Sequence, residues 1–101
     1  MPCERLVGIN VTDEKMYEKY REAMKPILVT YGGGFSSDFK VSETLLPSAN
    51  TDINRVFTIY CRDEKAMDQF FSNPDYLEIK DKFFKNSVAN VTELAKYNRQ
   101  A

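Results

Sequence analysis

Apolar and polar residues alternate in four stretches of the chain, with the period of two that a β-strand requires. The stretches cover residues 4–12, 35–45, 55–61 and 88–96. β-Branched and aromatic residues, which favour extended backbone, are frequent in them. The alternation assigns one face of the first three strands to a helix-covered core, and this face comprises Val7, Ile9, Val11, Phe39, Val41, Phe57, Ile59 and Cys61.

The first helix lies between the first two strands and carries its apolar residues at helical spacing. Either Thr12 or Asp13 can cap its N-terminus, and the glycines at 32–34 end it, as glycine commonly does. Pro26 falls inside this helix and is expected to kink it or to end its regular part early. The apolar stripe comprises Met16, Tyr20, Ala23, Met24, Ile27, Leu28 and Tyr31.

A second helical region lies between the third and fourth strands. Asp63 is its predicted N-cap, and Asn73 followed by Pro74 predicts a second cap with proline at the first helical position. Residues 46–54 are polar and rich in turn-forming residues, so they predict a loop between the second and third strands. The apolar side of the helical region comprises Ala66, Met67, Phe70, Phe71, Tyr76, Leu77, Ile79, Phe83 and Phe84.

The predicted element order is β-α-β-β-α-β, which is typical of the α+β class and of a ferredoxin-like fold. Right-handed crossovers then give one antiparallel four-stranded sheet in the order four, one, three, two, with both helices on one face. We find no linker or internal repeat, so residues 1–101 are interpreted as a single domain. The other sheet face would carry Leu6, Val56, Tyr60 and Leu94. Because so much apolar surface is unfavourable in water, we expect the chain to form a homodimer through it.

Charge and composition exclude several classes of function. The chain has 14 basic and 15 acidic residues, so we expect neither nucleic acid nor a membrane surface as a partner. It has no histidine, which excludes Ser-His and Cys-His nucleophile pairs, a proximal haem histidine and an ordinary zinc site. We therefore expect no cofactor and no metal. The two cysteines are too few for a secreted disulfide framework, and no apolar signal region opens the chain, so we expect a cytoplasmic protein.

Four short motifs resemble those of a known family, in order and spacing. They are Tyr17-x-x-Tyr20, Tyr31-Gly32-Gly33, Arg55-Val-Phe-Thr-Ile and Ser72-Asn-Pro74-Asp-Tyr76. The sequence is similar through them to a family of small bacterial proteins known only as a domain of unknown function, the thirteen-thirty family, within the dimeric α+β barrel superfamily. The resemblance implies a ferredoxin-like protomer whose sheet packs face to face with that of a partner. It implies no activity.

The chain departs from the family pattern at positions that could matter for binding. Asp38 stands where the family tends to place an arginine, and Tyr60-Cys61 stand where it tends to carry Glu-Phe. The arginine usual near the end of the second helix is missing around Phe83-Phe84. If these charged residues form a site in the family, this chain has lost or rebuilt it.

The candidate ligand-binding residues are Asn10, Asp38 and Tyr60. Treating the first and third strands as parallel neighbours, we expect these side chains and Ser36 to converge at one mouth of the barrel. There they could orient a small organic ligand, and a desolvated Asp38 with a raised pKa could act as a general base. The alternative is that the same groups only hydrogen-bond to one another across a dimer interface.

Three functions remain open at this point. The first is a small-molecule binding or sensing dimer, the second a cofactor-free enzyme of the monooxygenase or isomerase kind, using Asp38 and Tyr60 for proton handling. The third is a structural partner for another protein. Fold resemblance cannot choose among them.

The remaining reactive and polar-tipped side chains are expected to be structural. Cys61 should pack in the core, and it should lie at the opposite end of the sheet from Cys3, which excludes an internal disulfide. The tyrosines on the helices are expected to pack with their hydroxyls at the rim. They are Tyr17, Tyr20, Tyr31 and Tyr76.

Overall fold

The elements of the computed structural model follow the predicted order, and the model describes residues 1–46 and 52–99. They are β1 (Cys3–Val11), α1 (Glu14–Thr30), β2 (Gly34–Lys40), β3 (Arg55–Cys61), α2 (Glu64–Ser72), α3 (Pro74–Ile79), a π-helical segment (Lys80–Phe84) and β4 (Val88–Asn98). The four predicted strands and the two helical regions are confirmed. The loop predicted over 46–54 lies partly outside the described residues, because 47–51 are not among them.

The strands form one sheet in the order β2-β3-β1-β4, with every neighbouring pair antiparallel. This confirms the ferredoxin-like α+β fold, with its helices on one face. The expected parallel pairing of the first and third strands is wrong. β1 and β3 are antiparallel, so that Cys3 pairs with Cys61 and Ile9 with Arg55. Each crossover in this fold joins strands that are next-but-one neighbours, and the strand inserted between them runs in the opposite direction.

Helix α1 begins and ends as its terminal residues predict. Asp13 is the N-cap and accepts a hydrogen bond of 3.1 Å from the backbone N–H of Met16. Gly32 has a φ of +67°, and this left-handed conformation favours glycine. The helix continues through Pro26 to Thr30, so an early end is wrong. Because Pro26 has no backbone N–H, the carbonyl of Glu22 lacks its usual helical hydrogen bond. Both residues are exposed, so water can bind to that carbonyl.

The second helical region is divided into three short parts by its caps. The side chain of Asp63 caps α2 through Ala66 N–H at 2.7 Å, and Asn73 caps α3 through the N–H of Asp75 at 2.9 Å. After α3 the helix widens into the π-helical segment, which ends in a hydrogen bond of 3.0 Å from Lys85 N–H to the carbonyl of Lys80. Both predicted caps are confirmed. The wider turn was not predicted from the sequence, and such turns frequently occur at functional sites.

An extra residue in β2 reverses the predicted orientation of its second half. Phe35 pairs with Ile59 and Ser37 with Thr58, so Ser36 is the inserted residue. Beyond this bulge, the residues of β2 that were predicted to face the helices face the other side of the sheet, and the reverse. The assignment of Phe39 and Val41 to the core is therefore wrong. Phe39 pairs with Val56 and is 60% exposed on the helix-free face, Val41 lies beyond the strand, and Asp38, which pairs with Phe57, faces the helices.

The core lies between the helices and the sheet face of Val7, Ile9 and Val11. All three side chains are buried, as are Phe57, Ile59 and Cys61 of β3, which confirms the assignment of both strands. On α1 the buried set extends beyond the predicted stripe and includes a charged residue. It comprises Tyr17, Tyr20, Arg21, Met24 and Leu28.

The two cysteines are direct neighbours, not residues at opposite ends of the sheet. Cys3 and Cys61 pair across β1 and β3, both are buried, and both are free thiols. The geometric argument against a disulfide is therefore wrong, because it depended on a parallel pairing. The expectation that Cys61 packs in the core is confirmed, since its exposed fraction is 0%.

We predict that neither thiol of the native protein reacts with iodoacetamide at about pH 8, near the ordinary thiol pKa. Burial raises the pKa of the Cys61 thiol to about 11 and also raises that of Cys3, so the reactive thiolate is scarce. Mass spectrometry after timed alkylation measures this, with a urea-unfolded sample as the control. Equal labelling rates in the native and unfolded samples would show that the thiols are not protected.

Candidate functional site

A cavity of about 340 Å³ lies between the helices and the helix-covered face of the sheet. Three of its lining residues, Lys80, Val91 and Glu93, are exposed, so the cavity opens between the π-helical segment and β4. Volumes of 300–1,000 Å³ are typical of small-molecule sites. Aromatic rings form much of the wall, and they belong to Tyr17, Tyr20, Phe35, Phe57, Phe71, Tyr76 and Phe84.

A pair of phenols forms one side of the cavity. The hydroxyl oxygens of Tyr20 on α1 and Tyr76 on α3 lie 2.9 Å apart and are hydrogen-bonded. Both side chains are almost fully buried, so the prediction that these hydroxyls lie at the rim is wrong. Burial raises the pKa of both phenols, that of Tyr20 well above its ordinary value of 10.0. Both groups are therefore protonated at neutral pH.

A third phenol, Tyr17, lies beside this pair and is held by a buried arginine. Its ring stacks on that of Tyr20 with 5.7 Å between centroids. Its hydroxyl oxygen accepts a hydrogen bond of 2.7 Å from Nε of Arg21. The Arg21 guanidinium in turn packs over the ring of Phe35, 3.9 Å from its centroid. Tyr17 is thus fixed in position by a charged group that does not itself line the cavity.

Asp38 connects two arginines behind the cavity wall. Its carboxylate accepts hydrogen bonds of 2.8 Å from both Nε and Nη2 of Arg55, and longer ones of 3.2 and 3.3 Å from Arg21. The hydrogen bonds from Arg55, and then the charge of Arg21, lower the pKa of this carboxyl against the opposing effect of burial. The prediction of a raised pKa is wrong, because the bulge in β2 turns Asp38 toward these guanidinium groups. A carboxylate held in this way is a poor general base.

Arg5 stands at the opening of the cavity, on β1. Its guanidinium lies over the ring of Phe71, 4.8 Å from the centroid. Its Nε is buried and lies 3.2 Å from Oε1 of Glu93, but is not aligned for a hydrogen bond. The opening therefore combines an aromatic wall with an ion pair that water can reach.

The three predicted site residues are not brought together. Asn10 lies near the C-terminal end of β1, where its Oδ1 accepts a hydrogen bond of 3.3 Å from Asn54. Tyr60 pairs with Glu4 near the other end, about 20 Å away at the rise of a strand. Asp38 faces the helices. The predicted convergence is wrong because β1 and β3 are antiparallel and because the bulge reorients β2. A ligand-binding role for each residue singly stays a prediction.

The helix-free face of the sheet carries a buried acid within its apolar surface. Glu4 is only 6% exposed, and its carboxylate accepts hydrogen bonds from the hydroxyls of Ser36 and Tyr97. Nη1 of Arg99 lies 3.8 Å from the same carboxylate. The strand pairing places on this face the predicted Leu6, Val56 and Tyr60, together with Phe39 and Tyr97.

Sequence reasoning missed the cavity because it treated the helix-facing side as a closed core. A usable signal was present in the concentration of tyrosines on that side. Tyr17, Tyr20 and Tyr76 bring hydroxyl groups that need partners when buried, whereas phenylalanine would suffice in a closed core. Arg21, on the same side of α1 as Tyr17, was a second signal.

Replacing Asp38 with Asn is expected to lower the free energy of unfolding by about 1–2 kcal/mol at neutral pH, because the buried Arg21 guanidinium loses its carboxylate. The value is modest because 34% of the Asp38 side chain is exposed. Since the folded protein lowers this pKa below 3.8, the stabilisation exists above that pH and disappears as the pH falls through the folded value. The difference between wild type and variant should therefore shrink in acid.

Urea unfolding followed by circular dichroism from neutral to acid pH measures this effect. Asp81→Asn is a matched control, because Asp81 is 78% exposed in its pair with Lys85 and exposed pairs contribute little. A difference for Asp38→Asn that stays constant across this range would contradict the assignment of the effect to the charged carboxylate.

Among the described residues, no helix is both long and apolar enough to cross a membrane. No family model matches the sequence, and no curated protein matches it. Solved structures do match. A protein of unknown function from Rhodopseudomonas palustris superposes with a TM-score of 0.80 at 14% identity, over 99% of this chain and 83% of that one.

Two other matching structures are described as ferredoxin-like. A Dabb family protein with a ferredoxin-like fold from Mesorhizobium loti has a TM-score of 0.66 at 15% identity, over 99% of this chain and 98% of that one. A dimeric ferredoxin-like protein of unknown function from Jannaschia sp. has a TM-score of 0.59 at 13% identity, over 98% and 100%. Sequence identities this low establish similarity of fold alone. This chain has a ferredoxin-like fold, which it shares with a dimeric protein of unknown function.

Proposed function

We propose that this chain is a small-molecule-binding protein that acts as a homodimer, with its ligand in the cavity between the sheet and the helices. The pocket predicted from the sequence lay at one mouth of the barrel, whereas this cavity lies on the helix side of the sheet. The observation that carries the proposal is the cavity itself, which is about 340 Å³ in volume, walled by aromatic rings and open at one side.

The composition of the wall supports a ligand more than it supports a packing defect. An empty apolar cavity lowers stability in proportion to its volume, and a closed core avoids polar groups at its centre. Here three of the lining residues, Tyr17, Tyr20 and Tyr76, carry hydroxyl groups, and Arg5 adds a charged group to the lining. A mostly apolar pocket with a few fixed polar groups is the usual form of a small-molecule site.

The helix-free face supports the homodimer. It carries large apolar side chains that are well exposed, with Phe39 at 60% and Tyr97 at 40%. A second copy of the same face would remove this surface from water by self-complementary contact. The dimeric protein from Jannaschia shares the fold, which is consistent with this arrangement. Membership of the thirteen-thirty family and a cytoplasmic location remain predictions from the sequence.

Cofactor-free catalysis is a weaker candidate. The enzyme alternative assigned proton handling to Asp38 and Tyr60, but the lowered pKa of Asp38 does not suit a general base. The two residues also lie on opposite faces of the sheet, since Asp38 pairs with Phe57 and Tyr60 with Gly34. Binding without turnover is the function that the cavity supports best.

Replacing Val91 with Phe is expected to weaken ligand binding about fivefold or more, because it adds a ring to an exposed position at the cavity opening. The probe is 2-acetylnaphthalene, which is titrated into isotopically labelled protein. Changes in the backbone amide chemical shifts report its binding. Val29→Phe is the matched control, since Val29 is also exposed but does not line this cavity. We expect wild type and control to bind alike. Equal binding by all three proteins, or shifts confined to the helix-free sheet face, would refute the cavity as the site.

Replacing Phe39 with Glu is expected to raise the dissociation constant of the dimer about tenfold or more, because a charge would be buried between two apolar faces. Analytical ultracentrifugation over a dilution series measures the constant. Leu77→Glu is the control, because Leu77 is 45% exposed and lies on α3, away from the sheet face. A wild-type protein that is monomeric at micromolar concentration would overturn the homodimer.

A further inference from the structure

The phenol hydroxyls around the cavity carry more protons than their described hydrogen bonds use. Tyr20 and Tyr76 bring two hydroxyl protons, and their mutual hydrogen bond of 2.9 Å uses one of them. Whichever phenol donates, the other keeps a proton that its partner cannot accept. Both side chains are almost fully buried and line the cavity, so a partner for the remaining proton has to come from within the cavity. The pair therefore supplies one donor to the cavity.

Tyr17 supplies a second donor by a different route. Its oxygen already accepts a hydrogen bond of 2.7 Å from Nε of Arg21, and its side chain is 1% exposed. The described residues offer no hydrogen-bond acceptor for its own proton. A hydroxyl that accepts a hydrogen bond from a cation becomes a stronger donor. The contact with Arg21 therefore makes the Tyr17 hydroxyl a stronger donor. Arg21 is held in turn by Asp38 at 3.2 Å.

Apart from the phenol oxygens themselves, the described lining side chains offer few acceptors for these protons. Backbone carbonyls of the strands and helices are occupied by their own ladders. Among the described lining residues, Glu93 supplies the only carboxylate. It lies at the opening, and its side chain is 49% exposed. An occupant of the inner part of the cavity must therefore bring its own acceptor oxygen to meet the phenol protons.

We infer that the ligand is a flat aromatic compound carrying a carbonyl oxygen, which accepts hydrogen bonds from Tyr17 and from the Tyr20–Tyr76 pair. The inference rests on the proposed function and names the chemical class of its ligand. The aromatic wall selects the flat ring, and the two phenol protons select the carbonyl. A protonated amine has no lone pair with which to accept the phenol protons, and a hydrocarbon leaves buried donors unpaired, which is unfavourable.

Three probes of similar shape separate these possibilities. They are 2-acetylnaphthalene, with a carbonyl acceptor, 2-isopropylnaphthalene, with no polar atom, and 1-(2-naphthyl)ethylamine, which is a cation at neutral pH. A purely apolar cavity would prefer the hydrocarbon, because it is the least soluble in water. We expect the ketone to bind the wild type at least as tightly as the hydrocarbon, and the amine to bind weakest.

Tyrosine variants test which groups make the difference. The double variant Tyr20→Phe/Tyr76→Phe is expected to weaken ketone binding about three- to tenfold, as is Tyr17→Phe, while hydrocarbon binding is unchanged or tighter. Each single variant, Tyr20→Phe or Tyr76→Phe, keeps one hydroxyl with a free proton, so it should bind the ketone nearly as the wild type does. Each substitution preserves the ring, and thermal unfolding checks that the fold is intact.

The outcomes separate this inference from the proposed function. If Val91→Phe blocks all three probes but the ratio of ketone to hydrocarbon affinity is the same in wild type and the tyrosine variants, the cavity binds ligands and the carbonyl class is refuted. Tighter binding of the amine than of the ketone would refute it equally. If no probe is affected by Val91→Phe, the proposed site itself is refuted. Weaker ketone binding in the double variant and in Tyr17→Phe, with the single variants Tyr20→Phe and Tyr76→Phe binding nearly as the wild type does, supports the shared-proton geometry.

Discussion

The helices of this protein cover only one of the two faces of its sheet, and most other features follow from this constraint. On the covered face, β1 and β3 bury Val7, Ile9, Phe57 and Ile59. On the other face the same strands must present residues that tolerate water or await a second surface. Because side chains alternate along a strand, each strand contributes to both environments, and the sheet links the cavity on one side to the apolar surface on the other.

The cavity depends on how the helices are held over the sheet. Helix α1 is tied to the edge strand β2 by Arg21 and Asp38, a contact of 3.2 Å that crosses from helix to sheet. The π-helical segment widens the end of the second helical region where Phe84 approaches Tyr20, with 4.8 Å between ring centroids. The aromatic contacts are tilted or edge-on more often than stacked, and edge-to-face packing is a geometry that the ring quadrupoles favour.

The electrostatics of the covered face also bear on its chemistry. The buried guanidinium of Arg21 is compensated by Asp38 and lies against aromatic rings, which suits a planar, weakly hydrated cation. Its Nε hydrogen bond fixes the orientation of Tyr17. The raised pKa of the phenols keeps them in the donor form. A phenol that stays protonated is a hydrogen-bond donor and a poor general base near neutral pH, which is consistent with the proposed binding function.

Local signals in the sequence predicted the elements well, because strand alternation and helix caps are short-range properties. Asp13, Asp63 and Asn73 each cap a helix as predicted, and Gly32 ends α1 with a positive φ. The order of the strands followed from the element order and the handedness of crossovers. The predicted convergence of Asn10, Asp38 and Tyr60 is wrong because β1 and β3 are antiparallel, a direction that the element order implies, and because the bulge in β2 reorients Asp38.

The sequence by itself determined the β-α-β-β-α-β order, the core positions of β1 and β3 and the apolar character of the second sheet face. These properties depend on residues a few positions apart, whose spacing is fixed by the geometry of a helix or a strand. Only the tertiary structure decided the rest. One inserted residue, Ser36, exchanged the faces of β2 and brought Asp38 to the arginines, and the packing of α1 against α3 joined Tyr20 to Tyr76 across 56 positions of sequence. Such contacts depend on register and on packing between distant segments, which alternation and capping within a segment do not specify.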